Sequence, residues 1–226
     1  MNTIPSNPIL YSFRRCPYAM RARLALKSSE LVVELREIIL RDKPAHMIEV
    51  SPKATVPVMI LPDGKIIDES LDVMLYALGQ NDPEGLLDIE NASLEDMLSL
   101  IEEFDGPFKK ALDRYKYANR HENVDVSEEK EIASRYLLKL EALLASGQGY
   151  LYGKRASLAD LAIFPFVRQF ANVDKDWFDR QAWPNLIKAL DQFVNSDRFL
   201  GIMAKYPRWK EGDDATYFGR NEMEQS

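Results

Sequence analysis

Pro8-Ile9-Leu10-Tyr11-Ser12-Phe13-Arg14-Arg15-Cys16-Pro17-Tyr18-Ala19-Met20-Arg21-Ala22-Arg23-Leu24-Ala25-Leu26 decides how this chain folds. The run Ile9–Phe13 is short and apolar and reads as a buried strand. From Pro17 to Ser28 the chain reads as a helix with its proline in the first turn, where a missing N–H costs nothing. Cys16 stands at the junction and is the single cysteine of 226 residues. A thiol at a helix start faces unpaired N–H groups and the positive end of the peptide dipoles. Both favour the thiolate, the reactive form.

Reading outward, Leu31–Leu40 is rich in β-branched residues and predicts a second strand. Lys43–Val50 is a short, weakly helical stretch. Val56–Leu61 and Lys65–Asp68 flank Pro62-Asp63-Gly64 and predict a hairpin. Ser70–Leu78 predicts a helix with Leu71, Met74, Leu75 and Leu78 on one stripe. The order is βαβ, a short helical link, then ββα, and the first crossover has the length a parallel pair needs. Gly79–Gly85, polar with two glycines and a proline, is the linker candidate.

Beyond the linker the period is helical. Leu94, Met97, Leu98, Ile101, Phe104, Phe108 and Leu112 recur at three- and four-residue steps, with a bend expected at Gly106-Pro107. Further helices are expected through Ile132–Leu144, from Ser157, and over Leu186–Asn195. Ser157-Leu158-Ala159-Asp160 has the form of a capping box and explains both polar residues structurally. The tail from Gly212 is polar and is expected to be loose. The fold class is therefore α/β plus all-α: a first domain over residues 1–79, a linker at 80–85 and a helical bundle domain over 86–226.

Composition narrows the function. A content of 46% apolar and 29% charged residues is ordinary for a soluble protein, and a net charge of −7 argues against a nucleic-acid surface. No apolar run reaches the roughly 20 residues needed to span a bilayer, and Met1–Pro5 lacks a signal-peptide pattern. A single cysteine allows no internal disulfide and fits a reducing, cytoplasmic setting. His46 and His121 are isolated, so no metal site is expected. Neither a Gly-rich phosphate loop nor a serine nucleophile elbow occurs.

Several segments in this order carry a resemblance. Cys16-Pro17-Tyr18-Ala19, Arg41-Asp42-Lys43-Pro44, Ser51-Pro52-Lys53-Ala54-Thr55-Val56-Pro57-Val58, Asp68-Glu69-Ser70, and Gly153 with Ser157–Asp160 together resemble the glutathione S-transferase superfamily. The likeness is strongest to its cysteine-type branches, the omega class and the two-domain bacterial glutaredoxins. It implies a thioredoxin-like first domain, glutathione as co-substrate, no metal, and a helical domain that walls the second substrate. It also implies site roles. Cys16 is the catalytic thiol, and Tyr18 walls it. Lys43 meets the glycyl carboxylate. Val56, before a cis Pro57, offers its backbone to the tripeptide. Glu69 pairs with the γ-glutamyl amine, and Ser70 accepts the γ-glutamyl carboxylate at a helix start.

Ala19 occupies the position where dithiol glutaredoxins carry a second cysteine, so the expected mechanism is monothiol exchange at Cys16. Its acceptor is a small molecule or a protein mixed disulfide; reductive deglutathionylation and dehydroascorbate reduction belong to the same chemistry. The alternatives are conjugation of electrophiles, with Ser12 or Tyr11 near the glutathione sulfur, and a non-catalytic binding role. Arg14, Arg15, Arg21 and Arg23 read as a positive rim around the thiol. Trp177, Trp183 and Trp209 read as packing residues. Trp209, with Phe104, Phe108, Tyr115 and Tyr117, is also a candidate for the second-substrate pocket. Superfamily members occur as monomers and as homodimers, and the homodimer is the favoured expectation.

Overall fold

A computed structural model describes residues 6–120 and 123–219. His121 lies outside them, as do Met1–Pro5. The described residues of Met1–Glu84 and of Asp197–Ser226 form one compact unit, and Gly85–Ser196 form a second.

In the first unit, β1 (Ile9–Ser12) is fully buried because all four side chains belong to packed faces of a central strand. It leads into α1 (Pro17–Ser28), then β2 (Val33–Glu37), α2 (Ala45–Val50), β3 (Val58–Ile60), β4 (Ile66–Ile67) and α3 (Ser70–Gln80). β1 and β2 are parallel, with Ile9 opposite Glu34 and Ser12 opposite Glu37. β3 runs antiparallel to β1, and β4 antiparallel to β3. The turn between β3 and β4 carries Gly64 at φ +87°, a conformation that glycine reaches without a Cβ penalty. Helix α1 packs along α3. Its alanines, Met20, Leu24 and Leu26 are buried all round, as expected of a helix enclosed in a core.

The second unit is helical: α4 (Leu94–Glu103), α5 (Lys109–Lys116), α6 (Val126–Ser146), α7 (Leu158–Ala171), α8 (Lys175–Asp179) and α9 (Pro184–Asn195). The bend expected at Gly106-Pro107 takes the form of a π-helical turn over Phe104–Phe108 between α4 and α5. An aromatic cluster fills the interior, with Phe108, Tyr115, Trp177 and Phe178 around Phe170, and Trp183 edge-on to Trp177 and Phe178. Ser157 and Asp160 form the capping box of α7, buried on both sides.

The C-terminal stretch corrects the sequence reading. It does not continue the helical bundle. After α10 (Asp197–Gly201), Trp209 donates its backbone N–H to the Glu37 carbonyl at 2.8 Å. Leu35 donates its N–H to the Thr216 carbonyl at 2.7 Å. Tyr217–Phe218 then form β5, antiparallel to β2, giving a five-stranded sheet in the order β4-β3-β1-β2-β5. Of the stretch from Gly212, expected to be loose, the part up to Gly219 satisfies an otherwise open sheet edge, and residues 220–226 lie outside the described residues. Phe218 is buried, and Gly219, at φ +113°, lies where any Cβ would strike the Leu31 carbonyl. A two-residue strand carries too little periodicity to be seen in sequence.

Candidate active site

The turn that presents Cys16 is closed by its N–H donating to the Phe13 carbonyl at 3.0 Å. Cys16 then becomes the N-cap of α1, with an extended backbone, and its carbonyl accepts the Met20 N–H at 2.8 Å. Pro17 at the first helical position cannot donate, so it leaves no orphan there. The sulfur is half-buried and lies 3.8 Å from the Val56 carbonyl oxygen. It packs at the margin of a core formed by Ile9, Tyr11, Ala19, Ile38, Met47, Val56 and Val58. The Val56–Pro57 peptide is cis, as the resemblance led one to expect.

The loop that carries Val56 is tied to the start of α3. Ser51 donates its hydroxyl to Asp68 at 3.0 Å, and Lys53 pairs with Glu69 at 2.5 Å and with Asp68 at 3.6 Å. Ser70 is buried as the first residue of α3, where its hydroxyl accepts from Arg21 Nε at 2.9 Å. The Arg21 guanidinium also lies 5.1 Å from the Tyr18 ring centroid. A chain of contacts thus runs from Tyr18 through Arg21 to Ser70, and another from Glu69 through Lys53 to the cis-proline loop and Cys16.

Lys43 lies beside Trp209, which packs against the same core as Cys16. It lines a cavity of about 150 Å³ shared with Asp42, His46, Arg208, Trp209 and Glu211. Behind it, the buried Tyr11 hydroxyl pairs with His46 Nδ1 and accepts from Arg36, each at 2.8 Å. Trp209 packs edge-on against Tyr11, with the Arg36 guanidinium 4.3 Å from an indole ring centroid. Burial raises the Tyr11 pKa, against the opposing pull of Arg36.

Residues 10–85 match the family model for the glutathione S-transferase N-terminal domain, and residues 123–211 match the model for its C-terminal domain. The chain belongs to the glutathione S-transferase superfamily. It is similar to glutathione S-transferase omega-1 of Sus scrofa, 26% identical over 199 residues, covering 88% of this chain and 77% of that protein. It is also similar to pyrimidodiazepine synthase of Drosophila melanogaster, 28% identical over 219 residues, covering 91% and 84% respectively. The solved structure of a glutathione transferase family member from Pseudomonas fluorescens pf-5, with two glutathione bound, shares the fold at a TM-score of 0.75 and 20% identity. That match covers 89% of this chain and 94% of that one.

In this glutathione S-transferase superfamily chain, the expected site residues divide. The Cys16 sulfur meets the carbonyl of Val56, which precedes the cis Pro57, Tyr18 and Ser70 are joined through Arg21, and Glu69 joins the cis-proline loop. Lys43 instead lines the cavity beside Asp42, Arg208 and Trp209. The reading of four arginines as a positive rim is corrected. Arg15 is exposed, but Arg21 and Arg23 are only 3% and 1% exposed. Each is a buried strut held by a partner on another element, Ser70 for Arg21 and Ser12 for Arg23. Trp209 packs as expected, on Tyr11 and Arg36 of the first unit. No sequence signal pointed to Lys53, whose partners lie 15 and 16 positions away.

Proposed function

We propose that this chain is a glutathione-dependent thiol transferase that works by monothiol exchange at Cys16. Glutathione-dependent transfer is the chemistry its superfamily shares. The observation that carries the finer reading is the half-buried Cys16 sulfur at the N-cap of α1, beside the Val56 carbonyl, with buried Ala19 where a resolving thiol would stand. The omega-1 relative of Sus scrofa agrees with a cysteine-type assignment.

The exchange balances without an external oxidant. The Cys16 thiolate attacks the glutathionyl sulfur of a mixed disulfide; the Cys16–glutathione disulfide forms, and the acceptor leaves as a thiolate that takes up a proton. A second glutathione thiolate attacks the sulfur bound to Cys16, releasing oxidised glutathione and restoring the Cys16 thiolate. A thiol of lowered pKa serves both steps, as attacking group in the first and leaving group in the second. In this reading Val56 and Pro57 hold the tripeptide backbone, Glu69 and Ser70 hold its γ-glutamyl end, Lys43 takes the glycyl carboxylate, and Tyr18 walls the sulfur. Lys53, which occupies Glu69 here, then yields to the ligand's ammonium, while the Ser70 hydroxyl donates to the ligand carboxylate and still accepts from Arg21.

Conjugation is less well supported. The hydroxyls it would use, Tyr11 and Ser12, are fully buried, and each is already held: Tyr11 by His46 and Arg36, Ser12 by Arg23. The test is glutathione-dependent reduction of hydroxyethyl disulfide by wild type and Cys16→Ser. Turnover that vanishes in the variant is expected. Turnover retained by Cys16→Ser, or absent from both, would overturn the reading.

A further inference from the structure

The monothiol reading leaves one buried charge unused. Arg23 lies on α1 seven residues after Cys16, about 10 Å along the axis and nearly on the same face. Side chains on a helix lean towards its N-terminus, so this arginine reaches back under the turn that carries the sulfur. It is only 1% exposed. One end of its guanidinium donates to the Ser12 hydroxyl and the other to the Arg14 carbonyl at 2.7 Å, while its Nε finds no hydrogen-bond partner. Glu37, at the end of β2, accepts the Arg14 N–H at 2.6 Å and completes the same turn.

We propose that Arg23 is a positioning residue for Cys16: it clamps the turn from Ser12 to Arg14 and holds a buried positive charge against the turn that leads into the cysteine. The proposal rests on Cys16 being the exchanging thiol. A buried, incompletely bonded guanidinium carries a large desolvation cost that packing alone does not explain, since a methionine would fill the same space without it. That cost lowers the Arg23 pKa to about 10, which leaves it charged at neutral pH. The Glu37 carboxylate, a Cys16 thiolate and an ionised Tyr206 favour its cationic form, and Arg14 opposes it. A thiolate at Cys16 and a cation at Arg23 therefore stabilise one another.

With a single cysteine in the chain, the pH dependence of iodoacetamide alkylation reports on Cys16 alone and needs no turnover. In Arg23→Met the midpoint should move up by about one pH unit, the low end of what a neighbouring opposite charge exerts. Alkylation on the acidic limb should then be about tenfold slower. Arg23→Lys, which keeps the charge and loses the fork, should restore most of the shift. Ser12→Ala, which removes one bond and no charge, should leave the midpoint in place. Glu37→Gln should move it down, and this arm stands if Arg23→Met does not fold. An unmoved midpoint in folded Arg23→Met, an equal shift in Ser12→Ala, or an upward shift in Glu37→Gln would overturn the proposal. Because alkylation is independent of catalysis, a wild type that lacks thiol transferase turnover but shows these shifts would refute the functional reading and leave the role of Arg23 standing.

Discussion

Replacing Asp160 tests how the second unit is held together. Its carboxylate is 3% exposed and serves three donors. One oxygen accepts the Ser157 N–H at 2.9 Å and the Ser157 hydroxyl at 2.5 Å; the other accepts the Leu151 N–H at 3.0 Å. In Asp160→Ala the hydroxyl can rotate away, but two buried backbone N–H groups lose their acceptor. Each stranded donor costs about 1–3 kcal/mol, so the pair costs about 2–6 kcal/mol. Removing a buried carboxyl offsets part of this, because burial raises its pKa and so penalises the ionised form. The expected net loss is about 3–4 kcal/mol, well above the ~1 kcal/mol of an ordinary surface cap. Asp160→Asn keeps one oxygen, enough for Leu151 or Ser157 but not both, and should lose about half as much. Urea unfolding followed by the fluorescence of Trp177 and Trp183 reads the effect within the same unit. A loss below ~1 kcal/mol in Asp160→Ala, or equal losses in the two variants, would refute this count of donors.

Two further outcomes are expected. Trp209→Ala removes an edge-on contact with Tyr11, a cation–π contact with Arg36 and partial apolar burial, for about 2–3 kcal/mol; hydrogen exchange at the Leu35 amide, which donates to Thr216, should speed up, and unchanged exchange would contradict the C-terminal anchoring described above. Alkaline titration at 295 nm should show late tyrosines, because burial raises Tyr11, Tyr115 and Tyr152. Since the native state then holds protons that the unfolded chain releases near pH 10, stability falls as pH rises from there through the raised values. Tyr11→Phe should remove one tyrosine from the late phase and flatten that fall; an early-phase loss would sink the assignment.

Much of the fold was legible because local signals agreed with one another. Pro17 after Cys16 set the start of α1, Pro62-Asp63-Gly64 set the β3–β4 turn, and Ser157 with Asp160 set the start of α7. These depend on residues within four positions of each other, where backbone preference and capping act. The five-residue helices α8 and α10 escaped notice, although Asp174 caps the first of them. The cysteine's place at a helix start was likewise written locally, as was the absence of a second thiol at Ala19.

What the chain alone could not reveal lies in contacts between distant residues. Arg21 and Arg23 look like surface charge when counted, and become struts only because α3 and the end of β1 supply Ser70 and Ser12 as partners. Glu69 looks free to meet a ligand, yet Lys53 holds it from a loop 16 positions earlier. The C-terminal segment has no period of its own. Trp209 and Tyr217–Phe218 are held because β2 has an unpaired edge and Tyr11 and Arg36 offer a surface to Trp209. A residue's chemistry is set by its type, but its partner is set by where the rest of the chain folds, since buried charges and open strand edges must be satisfied by whatever reaches them.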